Sequence, residues 1–225
     1  MTAAVALALA TAATACGGER GLAPFAAADR APADVAARDG RYTAGPTDQG
    51  LDPAAFRYPA TIATAKGDIA IELWPQLAPH NVNAFVFLAR AGFYDGLTFH
   101  RVIDGFMAQG GDPLATGLGG PGFGLPAELH ATDPVPIGAG AVAMARVASR
   151  PDSAGSQFFI VTGDGQPARN LTGLYTVIGW VTDGLDVAQA LAEGDVIDAV
   201  TIRPRAAGGG LSSDDVRARA TEASR

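Results

Sequence analysis

The shortness of its apolar runs constrains this chain more than any other feature. From residue 58 onward those runs cover residues 60–64, 69–74, 98–103, 106–109, 141–145, 157–161, 176–181 and 196–202. Glycine, proline or aspartate follows most of them within a few residues. Runs of that length suit β-strands and fall short of ordinary helices. Residues 65–68, Ala-Lys-Gly-Asp, form a turn signal between the first two runs. Two stretches read as helices. In the first, Pro79 suits an opening position where its missing N–H costs nothing. Val82, Phe85, Val86 and Ala89 then recur on one face, and Gly92 suits the end. The second helical stretch is residues 185–193. Many short strands with two helices point to a mainly β fold, a barrel or a sandwich.

Charge and cysteine content exclude several function classes. Acidic residues outnumber basic ones by 23 to 16, a net charge of −7. No nucleic-acid partner is expected, because such binding needs clustered cations to displace counterions. Lys66 is the only lysine, which excludes a polybasic membrane patch and most lysine-centred chemistry. Cys16 is the only cysteine, so neither an intramolecular disulfide nor a cysteine-cluster metal site can form.

The N-terminal region reads as a targeting segment followed by a tether. Residues 3–15 are small and apolar. A bilayer-spanning helix needs about 20 residues, so this run fits the apolar part of a secretory signal better. Ala13-Thr14-Ala15 offers small residues before a cleavage point, and Cys16, Gly17 and Gly18 follow. The pattern resembles a bacterial lipoprotein signal, which implies lipidation of Cys16; a plain secretory signal and an uncleaved tail are the alternative readings. It departs from that pattern in having no Lys or Arg before the run and in carrying Ala13 where leucine is usual. The expected organisation is a signal peptide over 1–15 and a flexible Ala/Pro/Gly-rich tether over 16–57. The tether should be mostly mobile, with Tyr42 and Phe56 as side chains that can dock. A folded domain over 58–205 and a polar tail over 206–225 complete the chain. The tail reads as a frayed helix from Ser213 or as no element at all.

The segment most suggestive of chemistry is residues 99–112, Phe-His-Arg-Val-Ile-Asp-Gly-Phe-Met-Ala-Gln-Gly-Gly-Asp. Two strands flank Asp104-Gly105, which makes a hairpin. A two-residue turn would set Arg101 opposite Ala108. A three-residue loop, Asp104-Gly105-Phe106, would pair Ile103 with Met107 and Arg101 with Gln109. Only the second register puts a guanidinium, a thioether and an amide on one surface, with Phe106 at the tip. Further on, Gln157 and Phe159 share one strand face and Phe158 takes the other, where it belongs to the core.

At these residues the chain resembles the cyclophilins, the cyclosporin-binding class of peptidyl-prolyl isomerases. Residues 99–112 look like the family's signature hairpin, and residues 140–146, 156–160 and 171–179 match later blocks in order. The resemblance runs from about residue 60 to 203. It implies a closed eight-stranded antiparallel β-barrel capped by two α-helices, with the active groove on the barrel's outer face. It implies a catalytic Arg101, with Gln109 beside it, and proline-pocket walls at Phe106, Met107, Phe159, Leu171 and Tyr175. Ala145 and Gln157 would help hold the substrate backbone. Asn170 stands where many members carry a cyclosporin-contacting tryptophan, and Arg146 stands where many eukaryotic members carry asparagine. Weak cyclosporin binding is therefore expected.

Other signals are weaker. Residues 117–122 satisfy a GxGxxG spacing, but no parallel strand precedes them, no helix follows, and Pro121 interrupts them. His80, His100 and His130 lack close ligand spacing. No metal and no cofactor are expected. The chain should be a monomeric isomerase acting on proline-containing polypeptides in the cell envelope or periplasm, tethered through lipid on Cys16. The alternative is a non-catalytic proline-peptide binding module of the envelope.

Overall fold

In the computed structural model the described residues are 20–130, 132–208 and 212–223, so the expected signal segment and Cys16 lie outside them. The chain folds into strands β1 (Phe56–Thr64), β2 (Gly67–Leu73), β3 (Arg101–Ile103), β4 (Met107–Gly110), β5 (Ala141–Met144), β6 (Phe158–Val161), β7 (Val177–Asp183), β8 (Ile197–Ile202) and the short β9 (Arg205–Ala206). Eight of them form one curled antiparallel sheet in the order β3-β4-β6-β5-β7-β2-β1-β8, and β9 pairs with β1. The fold is mainly β, as the sequence implies. The end strands β3 and β8 do not pair along their length. Residues at and just before their starts narrow the gap, with Phe99 N–H donating to Asp195 O at 2.8 Å and Ile197 N–H to Leu97 O at 2.7 Å. A half-barrel drawn together at one point thus replaces the fully closed barrel of the expectation.

Helix α1 (Pro79–Ala91) begins at its proline and ends at Gly92, whose φ of 72° glycine tolerates without strain. No side chain of its own caps the start. The Glu128 carboxylate does so from a distant loop, accepting from Asn81 N–H at 3.0 Å and His80 N–H at 3.2 Å. A four-residue α2 (Gln166–Arg169) occupies a connection that carried no helical period. Helix α3 (Leu185–Gln189) stops short of residue 193. Asp195 accounts for that, because its carboxylate accepts from Ala192 N–H and binds Lys66, both at 2.7 Å, and so turns the chain back. The tail forms α4 (Ser213–Ala223). A reciprocal cap between Ser212 and Asp215 starts it, and Val216 and Ala220 are buried.

The sheet is apolar on both faces. Inside lie Ala108, Val142, Phe158 and Ile160, packed with α1 residues such as Phe85. Outside, Met107, Ala143, Phe159 and Val161 join Trp74, Trp180, Val216 and Ala220 in a second cluster. Strand alternation sends successive residues of β4, β5 and β6 to one cluster or the other.

The segment expected to be a mostly mobile tether lies on the domain from residue 20 onward. Arg38 is buried and donates to four backbone oxygens, of Pro32, Ala33, Phe93 and Asp95. Tyr42 sits edge-on to Phe87, with ring centres 5.1 Å apart. Ala31 N–H donates to Ala91 O at 2.8 Å, and the Tyr58 hydroxyl reaches Gly21 O at 3.1 Å. The side chains that hold it are few and scattered, and most of their partners are backbone carbonyls, which explains why composition concealed the contact.

Candidate active site

The hairpin takes the three-residue loop. Arg101 pairs with Gln109, Val102 with Ala108, and Ile103 with Met107. Phe106 N–H donates to Ile103 O at 3.0 Å, and Gly105 turns the loop with a φ of 63°. Thr162 N–H donates to Phe106 O at 2.9 Å and ties the tip to the end of β6. The guanidinium, thioether and amide therefore share one face.

That face continues across the sheet, because Gln109 pairs in turn with Phe159 and Phe159 with Ala143. Arg101, Gln109, Phe159 and Ala143 form one cross-strand row on the outer face. Arg101 is exposed, Gln109 half-buried, and Phe159 and Ala143 buried. Met107 and Phe159 form an apolar floor, and Phe106, Ala145, Leu171 and Tyr175 pack half-buried against it. Tyr175 stands perpendicular to Phe159, with ring centres 5.3 Å apart. All the residues inferred as pocket walls thus meet in one apolar cluster.

A hydrogen-bond relay runs beside this floor. Arg101 Nη1 donates to Gln109 Oε1 at 3.4 Å, Gln109 Nε2 to Gln157 Oε1 at 2.9 Å, and Gln157 Nε2 to Gly119 O at 2.9 Å. Ala145 N–H donates to Gln157 O at 2.9 Å. The long Arg101–Gln109 contact is a weak one, which leaves the guanidinium donors available to another acceptor. Arg146 is engaged differently. It donates to the oxygens of Leu174, Val147 and Ala148 and lies 5.2 Å from the centre of the Tyr175 ring. The partner of Gln157, Gly119 O, escapes sequence reasoning because a backbone carbonyl carries no residue-type signal.

The histidines do not converge on this site. His100 lies half-buried just before β3, and burial holds its imidazole below the usual range. The His130 ring lies 2.6 Å from Leu77 O. Asn170 caps the end of α2 and accepts from Gln166.

The site thus sets an exposed guanidinium beside an apolar floor. The sequence model of the family described as cyclophilin type peptidyl-prolyl cis-trans isomerase/CLD matches residues 60–206. The chain belongs to that family. As a cyclophilin it is 48% identical over 134 residues to the peptidyl-prolyl cis-trans isomerase B of Bacillus subtilis, covering 60% of this chain and 90% of the relative. It is 46% identical over 143 residues to a peptidyl-prolyl cis-trans isomerase of Helicobacter pylori, covering 63% and 84%. Among solved structures it resembles a cyclophilin from Hirschia baltica, with a TM-score of 0.56 and 28% identity over 67% of this chain and 77% of that one. A Cryptosporidium parvum cyclophilin solved in the presence of the dipeptide Ala-Pro gives a TM-score of 0.53 and 29% identity, over 67% and 99%. Like its relatives, this cyclophilin is an isomerase. Residues 20–59 lie outside the matched region.

Proposed function

We propose that the outer-face row catalyses rotation about X–Pro bonds in exported proteins, with Arg101 as the group that favours the transition state. An amide resists rotation because resonance sets a barrier of about 18–20 kcal/mol. At the twisted midpoint resonance is lost and the prolyl nitrogen regains a lone pair. A fixed Arg101 N–H donates to that nitrogen more strongly there than in either planar state, which is what lowers a barrier. The proline ring rests on Met107 and Phe159, between Phe106, Leu171 and Tyr175, while the acyl side turns. Gln109 and Gln157 hold the flanking backbone. Each tenfold acceleration needs only about 1.4 kcal/mol of such differential stabilisation, so neither a nucleophile nor a cofactor enters the scheme.

The observation that carries this reading is the register Arg101–Gln109–Phe159, which sets an exposed cation beside a buried aromatic floor. The relative with Ala-Pro supports proline peptides as ligands. The segment Ala-Thr-Ala-Cys at 13–16 supports export and a lipid anchor on Cys16. Arg101→Ala should lower kcat/KM on a proline peptide on the order of a hundredfold, the scale of losing one transition-state donor, with the melting temperature unchanged. Undiminished turnover would remove Arg101 from catalysis. Peptide binding without turnover in the unaltered chain would make the protein a binding module instead. Mass analysis of membrane-extracted protein tests the anchor, because an unmodified or uncleaved Cys16 contradicts it.

A further inference from the structure

The residues N-terminal to the family match reach the active site. Gly40 N–H donates to Gly120 O at 2.9 Å, and Gly120 N–H returns a bond to Asp39 Oδ1 at 2.8 Å. Tyr42 N–H donates to Pro121 O at 2.6 Å. The approach at Gly122 is close enough that a Cβ there would lie 2.7 Å from Gly40 O. Segment 38–42 and loop 119–122 are therefore laid backbone to backbone. The opposite side of the loop apex receives Gln157 Nε2 at Gly119 O, the last bond of the relay that begins at Arg101. Asp39 and Gly40 also wall a cavity of about 540 Å3, which Gln109, Ala145, Arg146 and Gln157 line as well. The segment is anchored to the domain independently of the loop, by the buried Arg38 and Tyr42.

We propose that the 38–42 segment braces the 119–122 loop, which holds Gln157 and through it Gln109 and Arg101, so that Asp39 is a positioning residue of this isomerase. The proposal rests on the catalytic reading above. Asp39 touches neither the proline nor the rotating amide. Its carboxylate fixes the Gly120 N–H, and with it the height of the Gly119 carbonyl that Gln157 needs. The loop's other end hangs on the buried Asp112, which accepts from the N–H groups of Leu114, Thr116 and Gly117. Among the described residues, the hydrogen bonds on apex residues 119–121 come from the 38–42 segment and from Gln157.

The test uses the full chain and two variants. Asp39→Ala removes the acceptor. Asp39→Asn keeps an oxygen at the same place and loses only the charge. Asp39→Ala should lower kcat/KM on a proline peptide roughly three- to tenfold, the scale of one hydrogen bond, with the global melting temperature held. Its Gln157 side-chain amide signals should shift by NMR, and Asp39→Asn should restore both readouts. Wild-type turnover and unshifted Gln157 signals in Asp39→Ala would overturn the brace. So would equal losses of activity and melting temperature in both variants, which mark a purely structural contact. If the unaltered chain fails to turn over proline peptides, the catalytic reading fails by itself. The Gln157 signals then still decide whether Asp39 holds the loop.

Discussion

The two faces of the β4–β6–β5 ribbon use the same strands differently. On the inner face Ala108, Ile160 and Val142 are fully buried and pair in one row. On the outer face the neighbouring row runs from exposed Arg101 through half-buried Gln109 to buried Phe159. A strand alternates sides at every residue, so adjacent positions can serve stability and chemistry with little overlap. The outer face needs an apolar floor of its own, and the second cluster provides it. Trp74 stacked on Trp180, with α4 packed nearby, completes that layer away from the groove.

This contrast can be broken at its strongest point first. Phe158 lies edge-on to Phe85 and Tyr94, both at 5.6 Å, and to Phe99 at 6.3 Å. Phe158→Ala should destabilise the domain by about 3–5 kcal/mol in denaturant unfolding, while the fraction still folded keeps its specific activity. A selective loss of activity with little change in stability would show that the faces are not separable. A smaller effect is expected at the N-terminal segment. Arg38→Met removes the donors to Phe93 O and Asp95 O and should cost about 1.5–3 kcal/mol of local stability. Limited proteolysis should then cut within residues 20–55 while the half-barrel stays intact. Unaltered resistance there would mean that Arg38 does not hold the segment.

The smallest effect concerns pH. Burial depresses the His100 imidazole, against the opposing pull of Asp112 and Glu193. As pH falls below about 6.5 the unfolded chain takes up this proton before the folded one does. The His100 contribution is thus complete above that pH and declines as pH falls toward the lower folded value. His100→Asn should show a shallower fall in melting temperature between neutral and mildly acidic pH. An identical slope would assign the acid sensitivity elsewhere.

Much of this was legible in the sequence, for identifiable reasons. Alternation placed Phe159 and Phe158 on opposite faces, and short punctuated runs located the strands. The hairpin was legible only up to its turn length, because both turns suit Asp104-Gly105. Closure of the loop by the Phe106 N–H settles the register. The helix from Ser213 shows weakly in the sequence because its residues are mostly polar, although Ser212 and Asp215 stand at capping-box spacing. The N-terminal contact was hidden because its bonds to Gly120 and Pro121 are largely main chain to main chain, and such bonds leave no trace in residue type.

One measurement bears most directly on catalysis from the outer face. Exchange NMR on a proline peptide mixed with Arg101→Ala reports binding and cis–trans rotation at once. Catalysis by Arg101 predicts that the peptide signals still shift as the floor takes up the ring, while exchange between the cis and trans lines nearly vanishes. Exchange as fast as with the unaltered protein would contradict it.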